Sequence, residues 1–206
     1  DLADLRQVLA LIAPLAATPD RCWLELEAHL AILSPLTYAH GFWSPERVAS
    51  LERAFVLAGN PALAAHPRLW TVALANAYFA LWSAEPTRAL EISTRAISQS
   101  AQVPAQAQWA NCLTGCAHLM RGDAHSAMEY LDRAIDCPAP ACDPQRDLLV
   151  GIEASIMALT WRALAQWHMG FPDQARRMLQ AALAAAERSV YSVTLAHVQS
   201  MASLLY

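Results

Sequence analysis

The sequence predicts an all-α fold, built as an array of about four to five antiparallel helical hairpins. Hydrophobic residues make up 56% of the 206 residues and only six residues are glycine, a composition that favours nearly continuous helix with short connections. Prolines and small polar residues recur where helices would begin, which is the usual N-terminal signal of helices in globular proteins. No stretch alternates apolar and polar residues over the length that a β-hairpin needs, so we expect no sheet.

A pattern of small and large residues recurs along the chain and indicates how the helices pack. In residues 170–182, Gly170 can end one helix and Pro172 suits the first turn of the next. A small residue, a large apolar one four positions later and a small one three positions after that share one helix face, which lets two helices approach closely, as in tetratricopeptide repeats. The pattern is carried by Ala175, Leu179 and Ala182, by Ala127, Leu131 and Ala134, and more weakly by Ala89 and Ala96.

The first two helices are predicted from apolar spacing and capping signals. Residues 1–17 have helical apolar spacing but begin without a cap signal. Thr18 and Pro19 form an N-cap and first-turn pair for a helix that runs to about residue 33, where Pro35 stops it. We expect residues 34–43 to connect this helix to the next.

The next three helices are bracketed by proline and glycine. Ser44 begins the third helix as an N-cap hydroxyl followed by proline and glutamate, and Gly59 ends it. A short segment at 61–67 leads to the helix 68–82. The helix 86–102, which begins with a proline, pairs with helix 68–82 as a hairpin.

Two further hairpins and a final helix complete the prediction. Gly122 ends one helix and Asp123 caps its partner. Between the two hairpins, the Pro-rich loop at 137–144 can be neither helix nor strand. The helices predicted in this part of the chain are 104–122, 123–135, 143–169, 172–188 and 192–206.

Neither end of the chain carries a complete helix signal, because the first helix lacks a cap and the last one stops without a terminator. We therefore expect residues 1–206 to be a single helical-repeat domain, a fragment of a longer multidomain protein. Hairpins of a tetratricopeptide-like α-α superhelix would each leave an apolar face that only a neighbouring hairpin can bury. The alternative is an irregular helical bundle without repeat symmetry.

Three blocks in a fixed order, 41–60, 119–135 and 167–187, together with the short segment 192–195, carry a resemblance to a known family. Over about residues 24–206 the chain resembles the tetratricopeptide-like helical-repeat region that follows the ATPase module of large bacterial signalling ATPases. Those proteins commonly carry a nucleotide cyclase domain or a winged-helix DNA-binding domain at the other end. The resemblance implies a regulatory segment that receives a signal from a protein or a small molecule and sets the state of the ATPase.

Several functions are excluded by what the sequence lacks. It has no G-x4-G-K-[ST] phosphate loop and no paired metal-binding aspartates in a strand context, so we expect neither ATPase nor cyclase chemistry and no enzyme activity. A net charge of -4 without clustered Lys and Arg argues against nucleic-acid binding. No apolar run reaches the roughly 18 to 20 residues of a membrane span, so we expect a soluble protein that binds no membrane. The N-terminus has no secretion signal and the cysteines are best explained as reduced thiols, so we expect a cytoplasmic location.

Five cysteines make an odd number, and reduced thiols packed in helix interfaces are the default interpretation. A zinc site formed by Cys112, Cys116, Cys137 and Cys142 is conceivable, but their spacing is not the tight C-x2-C of structural zinc sites. The seven histidines show no H-E-x-x-H pattern or other ligand spacing. We expect no cofactor, no metal and no catalytic residue.

The aromatic residues give the one lead to a binding site. If Ala89, Ala127 and Ala175 mark the same position of three hairpins, the first helices point a set of large side chains toward a common concave groove, where tetratricopeptide arrays bind. A groove rich in Trp and Tyr suits an apolar peptide or a flat small molecule. The alternative is that these residues belong to the core between long helices. The candidate contacts are Tyr78, Trp82, Trp109, Met120, Trp167 and His168.

We therefore expect a non-catalytic protein-interaction or sensor domain of a multidomain bacterial regulator, either a signal transduction ATPase or a transcriptional regulator. Its partner would be a protein or peptide, or adjoining domains of the same chain. The alternative is a small-molecule (inducer) binding module with an apolar pocket inside the helical array, and an all-α enzyme ranks last. A peptide site predicts an open groove, whereas a ligand site predicts an apolar pocket with a few polar groups.

Overall fold

The computed structural model of the protein describes residues 1–64, 66, 68–99, 103–138 and 152–205. In these residues every regular element is helical and no strand occurs, which confirms the all-α prediction. The ten α-helices of this part of the chain are α1 (Leu2–Ile12), α2 (Pro19–His40), α3 (Pro45–Ala58), α4 (Leu69–Trp82), α5 (Pro86–Gln99), α6 (Pro104–Met120), α7 (Ala124–Ile135), α8 (Ala154–His168), α9 (Pro172–Ala186) and α10 (Ser192–Ala202), with one 3₁₀ turn at Pro61–Leu63. Within the same residues, no helix combines the length and the hydrophobicity of a membrane-spanning segment.

Spatial proximity divides the described residues into two compact units. The first unit, residues 1–76, contains α1, α2, α3 and the beginning of α4. The second unit, residues 77–138 and 152–205, contains the end of α4 and the helices α5 to α10. That residues 1–206 form a single helical-repeat domain remains a prediction.

The first helix begins with an N-cap residue, Asp1, so the prediction of an uncapped start is wrong. The Asp4 N–H donates to Asp1 Oδ1 at 3.0 Å, and the Asp4 carboxylate accepts from the Asp1 ammonium group, which together form a capping box. The helix ends at Ile12 rather than at residue 17 because Pro14 removes a backbone donor and restricts the residue before it.

The second helix runs through Pro35, so the prediction that it stops there is wrong. α2 continues to His40, and Leu33 and Leu36 on either side of the proline are fully buried. Pro35 removes the hydrogen bond to the carbonyl of Ala31, but Ala31 is exposed and water can replace the lost donor. Burial of the two leucines, at about 2 kcal/mol each, offsets the roughly 3 kcal/mol cost of an internal proline.

A buried carboxylate links α1, α2 and α3 of the first unit. Glu25 on α2 accepts from Arg21 Nη1 at 2.5 Å and from Arg53 Nε of α3 at 2.7 Å. Arg21 also donates to the carbonyl oxygens of Ile12 and Ala13 at the end of α1. Because Glu25 is buried, its charge is stabilised by these arginines rather than by water.

Acidification below about pH 4.5 is expected to destabilise the first unit through Glu25. Burial raises the pKa of Glu25, but the Arg53 hydrogen bond and the charges of Arg53, Arg21 and His29 outweigh burial and hold this pKa below the ordinary value of 4.5. A carboxylate whose folded-state pKa is lowered stabilises the protein above its unfolded-state pKa, and that contribution is lost as the pH falls through the folded-state pKa. Urea melts at pH values between about 7 and 3 measure the loss.

The variant Glu25→Gln serves as the first comparison. Its free energy of unfolding should be lower than that of the wild type at neutral pH, and it should fall less on acidification. Glu52→Gln removes an exposed carboxylate of α3 and should keep the wild-type pH dependence. An equal loss of stability on acidification in the wild type and in Glu25→Gln would contradict the role given to Glu25.

The helices of the second unit pack as stacked hairpins. Each helix from α5 to α9 contacts the next helix in the chain, and α8 also contacts α6 and α10. Contacts between neighbouring and alternate helices are the pattern of a helical-repeat array, in which each hairpin buries the apolar face of the next. Gly122 and Gly170, with φ of 85° and 84°, make the tight turns after α6 and α8, as their sequence positions predict.

The faces that carry the small–large–small pattern are buried in helix contacts. On α6, a Cβ atom added to Gly115 would lie 2.6 Å from Leu131 Cγ and 3.0 Å from the Ala127 carbonyl oxygen of α7. Only glycine therefore allows α6 and α7 to approach this closely. The residues of the two strong copies of the pattern are all at most 1% exposed: Ala127, Leu131 and Ala134 on α7, and Ala175, Leu179 and Ala182 on α9.

Two predicted helix boundaries in the second unit are wrong. α8 begins at Ala154 because Glu153 is extended and its N–H donates to Thr194 Oγ1 of α10 at 3.4 Å. α10 ends at Ala202, where the chain enters a turn. The predicted segments 100–102 and 139–151, and the final residue 206, lie outside the described residues.

Candidate functional site

In the second unit, an apolar pocket of about 390 Å³ lies at the C-terminal ends of three helices. α6 contributes its last two residues, α8 contributes its last two turns, and α10 contributes its end and the residues that follow. We call this site the helix-end pocket. Its lining residues are Leu119, Met120, Trp161, Leu164, Trp167, His168, Met201, Leu204 and Leu205.

Three of the six candidate contacts lie together in the helix-end pocket. Met120 is the last residue of α6, two positions before Gly122, and His168 is the last residue of α8, two positions before Gly170. The two residues thus occupy equivalent positions in successive hairpins, as the repeat pattern predicts. Met120 is 41% exposed and Trp167 is 36% exposed, so both are accessible to a ligand.

Trp82 and Tyr78 lie on the end of α4 and do not line the helix-end pocket. The Trp82 ring packs edge-on against the pocket residue Trp161, with 6.3 Å between ring centroids. Tyr78 is buried one turn before Trp82, and their ring centroids are 6.1 Å apart. Trp82, which is 37% exposed, therefore supports Trp161 from outside the lining.

Trp109 lies in the first half of α6 and is buried, with 5% of its surface exposed. It precedes Met120 by eleven residues, about 16 Å along the helix axis, so the two side chains cannot share one pocket. Because the packing of α6 against α5, α7 and α8 buries Trp109, this residue does not offer the exposed groove contact that was predicted for it. Trp109 belongs to the packed core of the second unit.

The pocket also contains residues that the sequence analysis did not single out. Trp161, Leu164 and His168 are spaced i, i+3 and i+7, which places them on one face of α8. That spacing is visible in the sequence and could have identified Trp161. Leu204 and Leu205 follow the end of α10, and no local signal in the sequence relates them to the other helices.

The pocket lining carries almost no charge. Among the residues that the structure describes, no Asp, Glu, Lys or Arg lines it, and His168 is the only ionisable side chain of the lining. Arg121, the residue after α6, is exposed and does not belong to the lining. The described lining therefore offers aromatic and apolar contact rather than ion pairs.

A second histidine lies in the aromatic layer next to the pocket. His197 on α10 packs edge-on against Trp82, with 6.1 Å between ring centroids. Burial lowers the pKa of His197 to about 4, so this imidazole is neutral at pH 7. Its Nε2, like Trp161 Nε1, has no hydrogen-bond partner in the described part of the chain.

The cysteines do not assemble into a site within the described residues. Cys112 and Cys116 are fully buried one turn apart on α6, and burial raises the pKa of the Cys116 thiol well above its ordinary value. A thiol of this kind is a poor nucleophile at neutral pH. Cys142, a member of the conceivable zinc site, lies outside the described residues. In ranges 1–64, 66, 68–99, 103–138 and 152–205, no three His, Cys, Asp or Glu residues are grouped as metal ligands.

No protein-family model, no curated protein and no solved structure matches this chain. The geometry of the pocket and the packing of the helices are therefore the basis for a proposal about function.

Proposed function

We propose that this chain is a non-catalytic sensor domain of a multidomain bacterial regulator and that it binds a small-molecule effector in the helix-end pocket. The pocket itself is the observation that carries the proposal. Its volume of about 390 Å³ is within the range of roughly 300 to 1,000 Å³ typical of small-molecule sites, and apolar and aromatic side chains dominate its lining. The lining includes Trp161 and Trp167, and indole is a side chain on which a flat ligand can stack.

The resemblance to the repeat region of bacterial signalling ATPases supports the role of a regulator. Two of the blocks that carry the resemblance, 119–135 and 167–187, begin at residues that line the pocket. The site is therefore built from the same position of two successive hairpins. A cytoplasmic location, and the output through an ATPase or a transcriptional domain, belong to this proposal.

A ligand in the pocket would contact three helices at once. α6, α8 and α10 each contribute lining residues, so an occupant stabilises one arrangement of the second unit over any other. The size of that preference equals the difference in binding free energy between the two arrangements. Such a change can be passed to an adjoining domain of the same chain without any chemical step in this segment.

Binding of a protein or peptide is the second candidate function, and a specific observation favours it. Large apolar side chains are exposed beside the pocket as well as in it: Met120, Trp167, Met169 and Phe171 are between 36% and 44% exposed. Exposed Trp, Met and Phe residues are typical of the centres of protein interfaces. A peptide that inserts one apolar side chain into the pocket would use the same residues.

Replacing Trp167 with Ala is expected to weaken binding of Nile red, an uncharged flat fluorophore used as a probe of the pocket, by about 1 to 2 kcal/mol. The change removes one of the two indole surfaces of the lining. Because Trp167 is partly exposed, the fold should be little affected. Fluorescence titration of the dye measures its Kd, and a urea melt measures the stability of the same variant.

Trp43→Ala is the matched control, since Trp43 is an exposed tryptophan of the first unit and lies outside the pocket. It should leave the Kd of Nile red unchanged. The proposal fails if the dye does not bind with a saturable 1:1 curve, or if Trp167→Ala and Trp43→Ala have equal effects. Binding of a protein partner that depends on Trp167, without any dye binding, would favour the second candidate.

A further inference from the structure

A buried histidine of the first unit holds the residues that lead into α4. The N–H of His66 donates to the carbonyl oxygen of Leu63 at 2.8 Å, and its carbonyl oxygen accepts from the N–H of Leu69 at 3.2 Å. Its imidazole Nδ1 accepts from the N–H of Arg68 at 3.1 Å. These hydrogen bonds join the 3₁₀ turn at Pro61–Leu63 to the first residues of α4, and the imidazole that takes part in them is fully buried.

The hydrogen bond from Arg68 requires that Nδ1 of His66 carries no proton. An imidazole nitrogen accepts only through its lone pair, so neutral His66 carries its proton on Nε2. Nε2 lies 3.3 Å from Glu27 Oε1 of α2, and among the described residues it has no hydrogen-bond partner. A second proton would occupy Nδ1 and face the N–H of Arg68. Protonation of His66 and its hydrogen bond with Arg68 therefore exclude each other.

The surroundings of His66 favour its neutral form. Burial lowers the pKa of His66 most, the charge of Glu27 opposes burial, and the charge of Arg68 adds to it, so this pKa lies below its ordinary value of 6.5. Glu27 and Arg68 are the charged groups that act on this pKa within the described residues. They also pair with each other, since Arg68 Nη1 donates to Glu27 Oε2 at 2.7 Å. The indole of Trp23 packs against the imidazole, with 4.1 Å between ring centroids.

We propose that His66 is a proton-operated switch at the beginning of α4. Neutral His66 holds the N–H of Arg68, whereas a proton taken up from solvent at Nδ1 breaks this hydrogen bond and releases the residues that precede α4. The switch lies in the first unit and goes beyond the proposed function, because it does not involve the helix-end pocket. It acts on α4, the helix that the two units share.

The direction of the pH effect follows from the two states of His66. Released His66 takes up a proton near pH 6.5, whereas held His66 does so only at lower pH. Between these pH values the released form binds a proton that the held form does not bind. The held form therefore loses stability relative to the released form as the pH falls, by at most about 10-fold per pH unit. This loss begins near pH 6.5, above the value of about 4.5 at which the contribution of Glu25 begins to be lost.

Hydrogen exchange of the Arg68 amide, followed on the full chain by two-dimensional nitrogen–proton NMR, tests the switch. After correction for the intrinsic pH dependence of exchange, the protection of this amide should fall at least about 3-fold between pH 7 and pH 5. The Cε1 proton of His66 should titrate with a midpoint below 6.5. Constant protection of the Arg68 amide over this range, or a midpoint of His66 above 6.5, would overturn the proposal.

Two variants assign the effect to His66. In His66→Asn, the side-chain oxygen can accept from the N–H two residues later but does not titrate, so protection of the Arg68 amide should become independent of pH. His29→Asn removes another histidine of the first unit whose pKa is lowered by burial, and it should keep the wild-type pH dependence of the Arg68 amide. Persistence of the dependence in His66→Asn, or its loss in His29→Asn, would contradict the role given to His66. The two wild-type measurements decide the question even if a variant does not fold.

Discussion

Replacing Trp109 with Ala is expected to lower the free energy of unfolding by about 3 to 5 kcal/mol. The indole is 5% exposed and lies on α6, which packs against α5, α7 and α8. Removing it leaves a cavity that a helix held on several sides cannot close, so both the transfer free energy and the lost packing contacts contribute. Urea melts followed by circular dichroism measure the loss without depending on tryptophan fluorescence.

Trp167→Ala is the natural comparison for Trp109→Ala, because it deletes the same side chain from a position that is 36% exposed. Its loss of stability should be below about 1.5 kcal/mol. If the two variants were equally stable, or if Trp109→Ala retained wild-type stability and instead lost ligand binding, Trp109 would have to be returned to the binding surface. Acrylamide quenching of the remaining tryptophans offers an independent measure of exposure.

Replacing Leu131 with Ala is expected to destabilise the second unit by about 2 to 5 kcal/mol. Leu131 is fully buried and fills the space left by Gly115, whose missing side chain allows α6 and α7 to approach. The backbone of α7 cannot move closer to compensate, since the Ala127 carbonyl oxygen is already near Gly115. The expected loss in the free energy of unfolding is large because the helices cannot move together to fill the cavity. Urea melts again measure this loss.

The control for Leu131→Ala is Val190→Ala, which shortens an aliphatic side chain that is 75% exposed in the same unit. Its effect should lie within about 0.5 kcal/mol of the wild type. A small effect of Leu131→Ala would contradict the close contact between α6 and α7, and with it the view that the small–large–small pattern marks helix packing.

Much of the fold could be predicted from the sequence because its signals are local. Gly122 and Gly170 adopt the positive φ that their positions after long helices predict, and the two strong copies of the packing pattern are buried. Local signals failed where tertiary contacts outweighed them. The burial of leucines on both sides of Pro35 keeps α2 continuous, and the hydrogen bond to Thr194 keeps Glu153 out of α8.

The candidate site was predictable only in part, because helical periodicity gives the side of a helix on which a residue lies. Met120, Trp167 and His168 are close to a turn, so their positions along the helix axes follow from the positions of the turn glycines. Trp109 lies on the same helix as Met120 but toward its other end. Helical periodicity does not show this separation, because it gives the side of the helix and not the position along its axis. The contribution of Leu205 depends on how α10 returns to α8, a long-range contact with no local signal.

The central claim, that the helix-end pocket is the ligand site, is tested most directly by the indole N–H signals of the seven tryptophans in a two-dimensional nitrogen–proton NMR spectrum. Single Trp→Phe variants assign the signals, and Nile red, the probe of the pocket, is then titrated into the full chain. The proposal predicts that the signals of Trp161 and Trp167 shift together and saturate at one Kd, while those of Trp23 and Trp43 in the first unit stay in place. Shifts confined to the first unit, or no shift of Trp161 and Trp167 at saturating probe, would contradict it.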